Sequence, residues 1–480
     1  MPSGTRSPEA SGHPLYLRIA GVVERQVRER VLRVGERVPS VRALSVQQGV
    51  SISTVLQAYS WLERRGYIEA RPRSGYYVRV PYEERAAEPE TGTARSVPCT
   101  VEVCKVVTEL MRASHDRALL PLGGAVLSSS LVPSAALNRT IRQILRRFPE
   151  HSDRYESRET DELRRQLARR ALAMGCSFAP GEITVTCGAM EGLNLCLRAV
   201  ASPGDVVAVE SPSYFGLLQA IESLGLRALE IPTHPRLGLD LEALERQLGR
   251  RRVRAVLSMP SAHNPLGYSL NEDRKRELVE LVERHDVPLI EDDVYGDLAH
   301  GGRPRVAKAF DRSGLVLVCS SFSKVLGAGY RVGWVHGGRF AERIADLKSM
   351  TSISSPALAQ HAIAGFLAGS GYERHLRRLR AAARCQIETF RDAVCRYFPE
   401  GTRASRPDAG FLLWVQLPGG RDGFDLYRRA LGKRIAIMPG AVFSAAGAYR
   451  DHVRLNCGHP WSDEIEEAIR TLGRLAGEMG

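Results

Sequence analysis

From residue 106 to the end of the chain, short apolar runs alternate with amphipathic helical patterns. The runs ITVTC, DVVAVE, VRAVLSM, VPLIED and LVLVCSS are apolar at nearly every position, and LEALERQLGR and DRKRELVELVERHD lie among them. A strand that is apolar on both faces has to be covered on both, and the intervening helices supply that cover. The alternation therefore predicts an α/β domain with a mostly parallel central sheet. No 20–50-residue repeat interrupts it. No run approaches the ~18 consecutive apolar residues a bilayer span requires, so a membrane protein is excluded.

The first 105 residues have a different character. MPSGTRSPEASGH (1–13) lacks the apolar stretch of a secretory signal and reads as a disordered tail. A helix is expected over 15–34, with Leu15, Ile19, Val22, Val23, Val27 and Val31 as its inner stripe and Gly35 as its stop. Ser40 is placed to cap a helix over Val41–Gln48, broken by Gly49, and Ser51 to cap a third over 51–65, ended by Gly66. On that third helix Val55, Tyr59 and Leu62 point inward, while Ser51, Ser53 and Thr54 sit at its first turn. Residues 68–70, the basic tip RPRSG and residues 76–80 read as a hairpin. The set is a winged helix-turn-helix over 14–80, a fold that binds double-stranded DNA through its third helix. Charge agrees, since residues 1–80 hold 13 Arg against 6 acidic residues in a chain of net charge +13. The chain's preference for 61 Arg over 6 Lys tempers that argument, because such a bias can also reflect genome composition. Residues 81–105, acidic and punctuated by Pro and Gly, read as a linker, and 106–480 as the second domain. Nine scattered cysteines without a C-x-x-C pair argue against a disulfide framework or a metal cluster and fit a reducing cytoplasm.

Four motifs in the second domain converge on one chemistry. In SSFSKVLGAGYRVGW, Lys324 follows Ser321 and Ser323 at the end of an apolar strand, and Arg331 comes seven residues later. A buried lysine can form a Schiff base with an aldehyde, and two hydroxyls with a guanidinium can hold a phosphate. An aldehyde and a phosphate on one small molecule suggest pyridoxal 5′-phosphate (PLP). VPLIEDDVYGDL places Asp292 at a strand's C-terminal end with Tyr295 three residues on, Asp293 being the competing carboxylate. A carboxylate there can pair with the pyridinium nitrogen, and Tyr295 can reach the ring hydroxyl. In SMPSAHNPLG, Asn264 can approach the same hydroxyl. TVTCGAMEGLNL is a strand, a glycine turn and a helix start, whose Ala189 and Met190 N–H groups would face an anion.

These pieces occur in the order found in fold-type I aminotransferases, which residues 106–480 resemble almost throughout. The resemblance implies that Tyr214 stacks on the PLP ring, that Arg454 takes a ligand's carboxylate, and that Tyr155 reaches the phosphate from a partner subunit. It also implies a smaller α+β C-terminal subdomain. The sequence departs from the family in two places: Ala189 stands where Ser is frequent, and the loop around Tyr155 lacks the usual glycine and prolines. The N-terminal segment resembles the GntR family of bacterial regulators, which implies DNA contacts by Arg42, Ser51, Ser53, Thr54, Ser74 and Gly75. Ile52 stands where that family often has arginine; it can touch a thymine methyl or simply pack. The fusion as a whole resembles the MocR subgroup of GntR regulators. That resemblance implies a homodimer, assembled head to tail, that senses an amino acid, an amine or PLP by aldimine exchange at Lys324. The alternative is a working PLP-dependent aminotransferase that carries a DNA-binding module.

Overall fold

The computed structural model describes residues 14–29, 31–33, 35–64, 67–71, 74–78, 87–92, 97–149, 161–250 and 252–479. Tyr155 and Gly66 lie outside them. The chain forms two compact units, which divide after Ala87.

The N-terminal unit contains α1 (Leu15–Arg28), α2 (Val41–Gln48), α3 (Ile52–Arg64), β1 (Ile68–Arg71) and β2 (Gly75–Val78). Ser40 caps α2 by accepting from the Ala43 N–H, and Gly49 ends it in the left-handed conformation at φ 63°. Val55, Ala58, Tyr59 and Leu62 on α3 pack with Leu44, Ile68 and Val78 in a small core. The first helix is shorter than its apolar pattern suggests. Ile19, Ala20, Val23 and Val27 form its buried stripe, whereas Leu15, Val22 and Val31 are exposed. Val31 follows the helix end, and Val22 lies one helical step off the buried face. Gly35 is not the helix stop. At φ 87° it redirects the chain so that its N–H donates to the Val78 carbonyl and Arg37 bridges Tyr77, which adds an edge to the wing. The hairpin pairs β1 and β2 antiparallel, from Ile68 with Val78 to Arg71 with Gly75.

The second unit is built on a nine-stranded mixed sheet. Its strands are β3 (Cys99–Thr100), β5 (Ile183–Thr186), β6 (Val206–Ser211), β7 (Arg227–His234), β8 (Gly238–Leu239), β9 (Val253–Ser258), β10 (Leu289–Asp292), β11 (Val316–Ser321) and β12 (Gly333–His336). The order is β3-β7-β6-β9-β10-β11-β12-β5, with β8 on β7. Strands β7, β6, β9, β10 and β11 are mutually parallel, and β12 runs antiparallel between β11 and β5. All six residues of β6 are buried, as a strand covered by helices on both faces requires. The helices include α4 (Ala189–Val200) and α5 (Phe215–Ser223).

A second sheet of β13 (Arg403–Ala404), β14 (Leu412–Gln416), β16 (Met438–Pro439) and β17 (His452–Asn456) is antiparallel in the order β13-β14-β17-β16. It forms the smaller α+β part with the helices Gly423–Leu431 and Asp463–Gly477. Short strands β4 (Leu120–Pro121) and β15 (Ile435–Ala436) pair in parallel beside it. Parts of the stretch read as a linker carry structure of their own. Glu88 pairs with Arg236, Glu90 pairs with Arg403, and Cys99–Thr100 joins the edge of the main sheet.

Candidate functional site

Strands β10 and β11 deliver their last residues to the same end of the sheet, and a cavity of ≈ 160 Å³ opens there. Ala189, Met190, Tyr214, Asn264, Asp292, Tyr295, Ser321, Ser323, Lys324 and Arg331 all line it. Of the cofactor residues expected from sequence, only Tyr155 is not placed.

One end of the cavity is made of backbone and small side chains. Gly188, at φ 89°, precedes α4, and a Cβ there would lie 2.5 Å from Arg331 Nη2. A Cβ on Gly333 would lie 2.6 Å from the Gly188 carbonyl carbon. Arg331, itself left-handed at φ 52°, donates to the Cys187 carbonyl at 2.9 Å and to Ser323 Oγ at 3.3 Å. The Ser321 and Ser323 hydroxyls share a hydrogen bond of 2.8 Å. Glu191, in the first turn of α4, accepts from the Cys187 N–H at 2.6 Å and pairs with Lys348 at 3.0 Å. That pairing neutralises the acid at the mouth of a helix N-terminus, where an anion is favoured.

The other end is titratable and buried. Asp292 is 2% exposed, and burial lifts its carboxyl to about 7 although the Val294 N–H donates to it at 3.2 Å. Asp293 faces elsewhere and forms a buried ion pair with Arg303. The Tyr295 hydroxyl is buried with no hydrogen-bond partner among the described residues. The Lys324 ammonium lies 5.4 Å from the Tyr295 ring centroid. Burial and then the nearby Arg454 charge pull its pKa down to about 8, against the opposing pull of Asp292.

Arg454 on β17 is fully buried yet makes no ion pair among the described residues. Its Nη1 donates to Asn264 Oδ1 at 3.2 Å, its Nη2 to the Gly123 carbonyl at 2.7 Å, and its Nε has no partner among the described residues. Phe215 and Phe443 flank it. The sequence reading missed Gly123 and Ala125. The Ala125 carbonyl accepts from Lys324 Nζ at 2.7 Å, so one backbone segment accepts a hydrogen bond from each cation. Asn456 Nδ2 holds this segment at both ends, through the carbonyls of Pro121 at 3.3 Å and Val126 at 2.9 Å. The Gly123-Gly124 pair was its only signal in the sequence, and it points to a bend rather than to a partner.

In the N-terminal unit, Arg42, Ser51 and Ser53 are exposed and Thr54 is half-buried. Ser51 Oγ accepts from the Thr54 N–H at 3.1 Å and lies 2.8 Å from both the Ser53 and Thr54 hydroxyls. At the wing, Ser74 Oγ is 2.6 Å from the Tyr77 hydroxyl, and Gly75 adopts φ 110°.

Residues 126–472 match the family described as aminotransferase class I and II, and residues 15–78 match the bacterial regulatory proteins of the gntR family. The HTH-type transcriptional regulator YdcR of Escherichia coli, described as uncharacterized, is 37% identical over 96% of this chain and 99% of its own. Two solved structures share the fold of the second unit. The α-aminoadipate aminotransferase LysN of Thermus thermophilus, complexed with N-(5′-phosphopyridoxyl)-L-leucine, is 28% identical with a TM-score of 0.72, covering 78% of this chain and 94% of its own. The kynurenine aminotransferase of Pyrococcus horikoshii, complexed with PMP, gives the same identity, TM-score and coverage.

Proposed function

Because this chain belongs to the class I and II aminotransferase family and carries a gntR-family region ahead of that domain, we propose that it is a MocR-type, DNA-binding transcriptional regulator that holds PLP and responds to an amino acid or amine. One observation carries the reading: a half-buried lysine, a buried aspartate and a buried tyrosine hydroxyl without a partner among the described residues line one cavity with a glycine-built cup. Those groups fit PLP. Ser321, Ser323, Arg331 and the first N–H groups of α4 would hold the phosphate. Asp292 would hold the proton of the ring nitrogen, Tyr295 and Asn264 would face the ring hydroxyl, and Tyr214 would lie over the ring. When bound, PLP supplies an aldehyde that captures amines and a ring that withdraws electrons.

The chain's own residues then account for a response. Lys324 presents a larger neutral fraction near physiological pH than an ordinary lysine because burial disfavours its charge. Arg454 needs an anion that no described residue supplies, and a ligand carboxylate offers a bidentate partner where the Gly123 carbonyl offers one oxygen. With the cofactor's aldehyde bonded to it, Lys324 would give up the Ala125 carbonyl, and an arriving amine that displaces it would return its Nζ to that acceptor. Both exchanges act on one tethered backbone segment, 121–126. Regulation follows if that displaced segment has different free energies in the DNA-binding and non-binding arrangements.

The test is the visible spectrum of the protein with PLP beside Lys324→Ala, combined with DNA binding in the presence of amino acids. A lysine-dependent band, and a DNA response that the variant loses, are expected. An unchanged response in the variant overturns the reading. The second reading is a working transaminase, favoured by the presence of Lys324 where it can shuttle a proton. Multiple turnovers with a keto acid in the same preparation would select it.

A further inference from the structure

The face of α3 that the N-terminal unit leaves exposed carries no positive charge through its first two turns. Ile52, Ser53, Leu56 and Gln57 occupy it, at i, i+1, i+4 and i+5 of one helix. Ile52 is 49% and Leu56 44% exposed, whereas Val55, Ala58 and Tyr59 on the opposite face are fully buried. Ile52 is therefore not a core residue, which removes packing as its explanation. The hydroxyls of Ser53 and Thr54 are already engaged with the cap at Ser51. What remains to carry sequence information is two branched apolar side chains and one carboxamide.

A single exposed leucine needs no explanation, but an (i, i+4) apolar pair beside an amide on this helix has a specific occupant. The third helix of a helix-turn-helix enters the major groove, and the 13 Arg against 6 acidic residues among positions 1–80 favour a polyanion. In that groove thymine presents a C5-methyl, and adenine presents an N6/N7 pair that suits a glutamine. Guanine calls for an arginine or lysine, which this face lacks. We infer that α3 reads A·T base pairs, with Ile52 and Leu56 closing on thymine methyls and Gln57 pairing with adenine, while Arg42 and the wing hold phosphates. The inference rests on the DNA-binding reading and adds the base specificity.

The experiment uses the full-length protein and a half-site selected from a randomised duplex pool. That half-site is then synthesised with deoxyuridine replacing each thymidine in turn, which deletes one methyl group and nothing else. Binding is expected to weaken about fourfold at each contacted methyl. The Ile52→Ala and Leu56→Ala variants should each become indifferent to one such replacement. Replacing adenine by 7-deazaadenine should weaken the native chain and not Gln57→Ala. Ile52→Arg should shift the preference at one position toward guanine. Selective DNA binding that ignores every deoxyuridine, or that depends on guanine opposite the start of α3, overturns the inference while sparing the DNA-binding reading. Failure of the folded protein to select any duplex overturns both. A change of oligomeric state in Ile52→Ala at unchanged DNA affinity assigns the face to a protein contact and also overturns the inference.

Discussion

Lys324 and Asp292 face one cavity, and burial moves each toward its neutral form, to about 8 and about 7. For a lysine, a lowered pKa means that the neutral amine appears at lower pH. Near physiological pH a larger share of Lys324 is therefore neutral than of an ordinary lysine. Capture of PLP by this residue should therefore accelerate with rising pH and level off above a midpoint near 8. Stopped-flow absorbance across pH 6–11.5 reads that midpoint directly, and a midpoint at the ordinary lysine value near 10.4 would remove the burial argument. Lysine, aspartate and tyrosine were readable in the sequence because each lay in a motif at a strand end. Gly123 and Ala125 were not, since they act through carbonyls, and every residue has one.

Among the elements, the turn into α4 is the most tightly specified. Gly188 stands at positive φ, and its missing Cβ leaves room for Arg331. Gly188→Ala would meet both constraints at once, the backbone strain and a contact at 2.5 Å with Arg331 Nη2. Arg331 must then move away from Cys187 and Ser323, taking its charge-assisted hydrogen bonds with it. PLP affinity should fall by about ten- to a hundredfold, a loss of ~1.4–2.8 kcal/mol, in a protein that remains folded. Titration of the visible band measures it, and an unchanged affinity would show that the cup does not hold the phosphate. Helix caps such as Ser40 were legible because capping depends on neighbours three residues away. The end of α1 was not, because an apolar residue such as Val31 fits a helical pattern whether or not the helix continues.

At the scale of the whole molecule, the proposed regulator is expected to be a dimer that acts on paired half-sites. Two recognition helices on a symmetric dimer would contact operator halves about one helical turn, or a multiple of it, apart. Sedimentation equilibrium with PLP present should report a dimer of a 52.9 kDa chain, and a pure monomer at micromolar concentration would remove this arrangement. The alternation of buried strands and amphipathic helices in the sequence determined the α/β class and the mostly parallel sheet, because burial on two faces leaves a local pattern of side chains. The sequence also determined the winged helix and which titratable and hydroxyl residues stand at the strand ends. Tertiary structure alone decided that Arg303 claims Asp293, the neighbouring acid. It alone brought Arg454 to Asn264 and to the Gly123 carbonyl, across 190 and 331 residues of chain. Such contacts are set by how sheets and loops stack, and residues so far apart leave no local periodicity from which to read them.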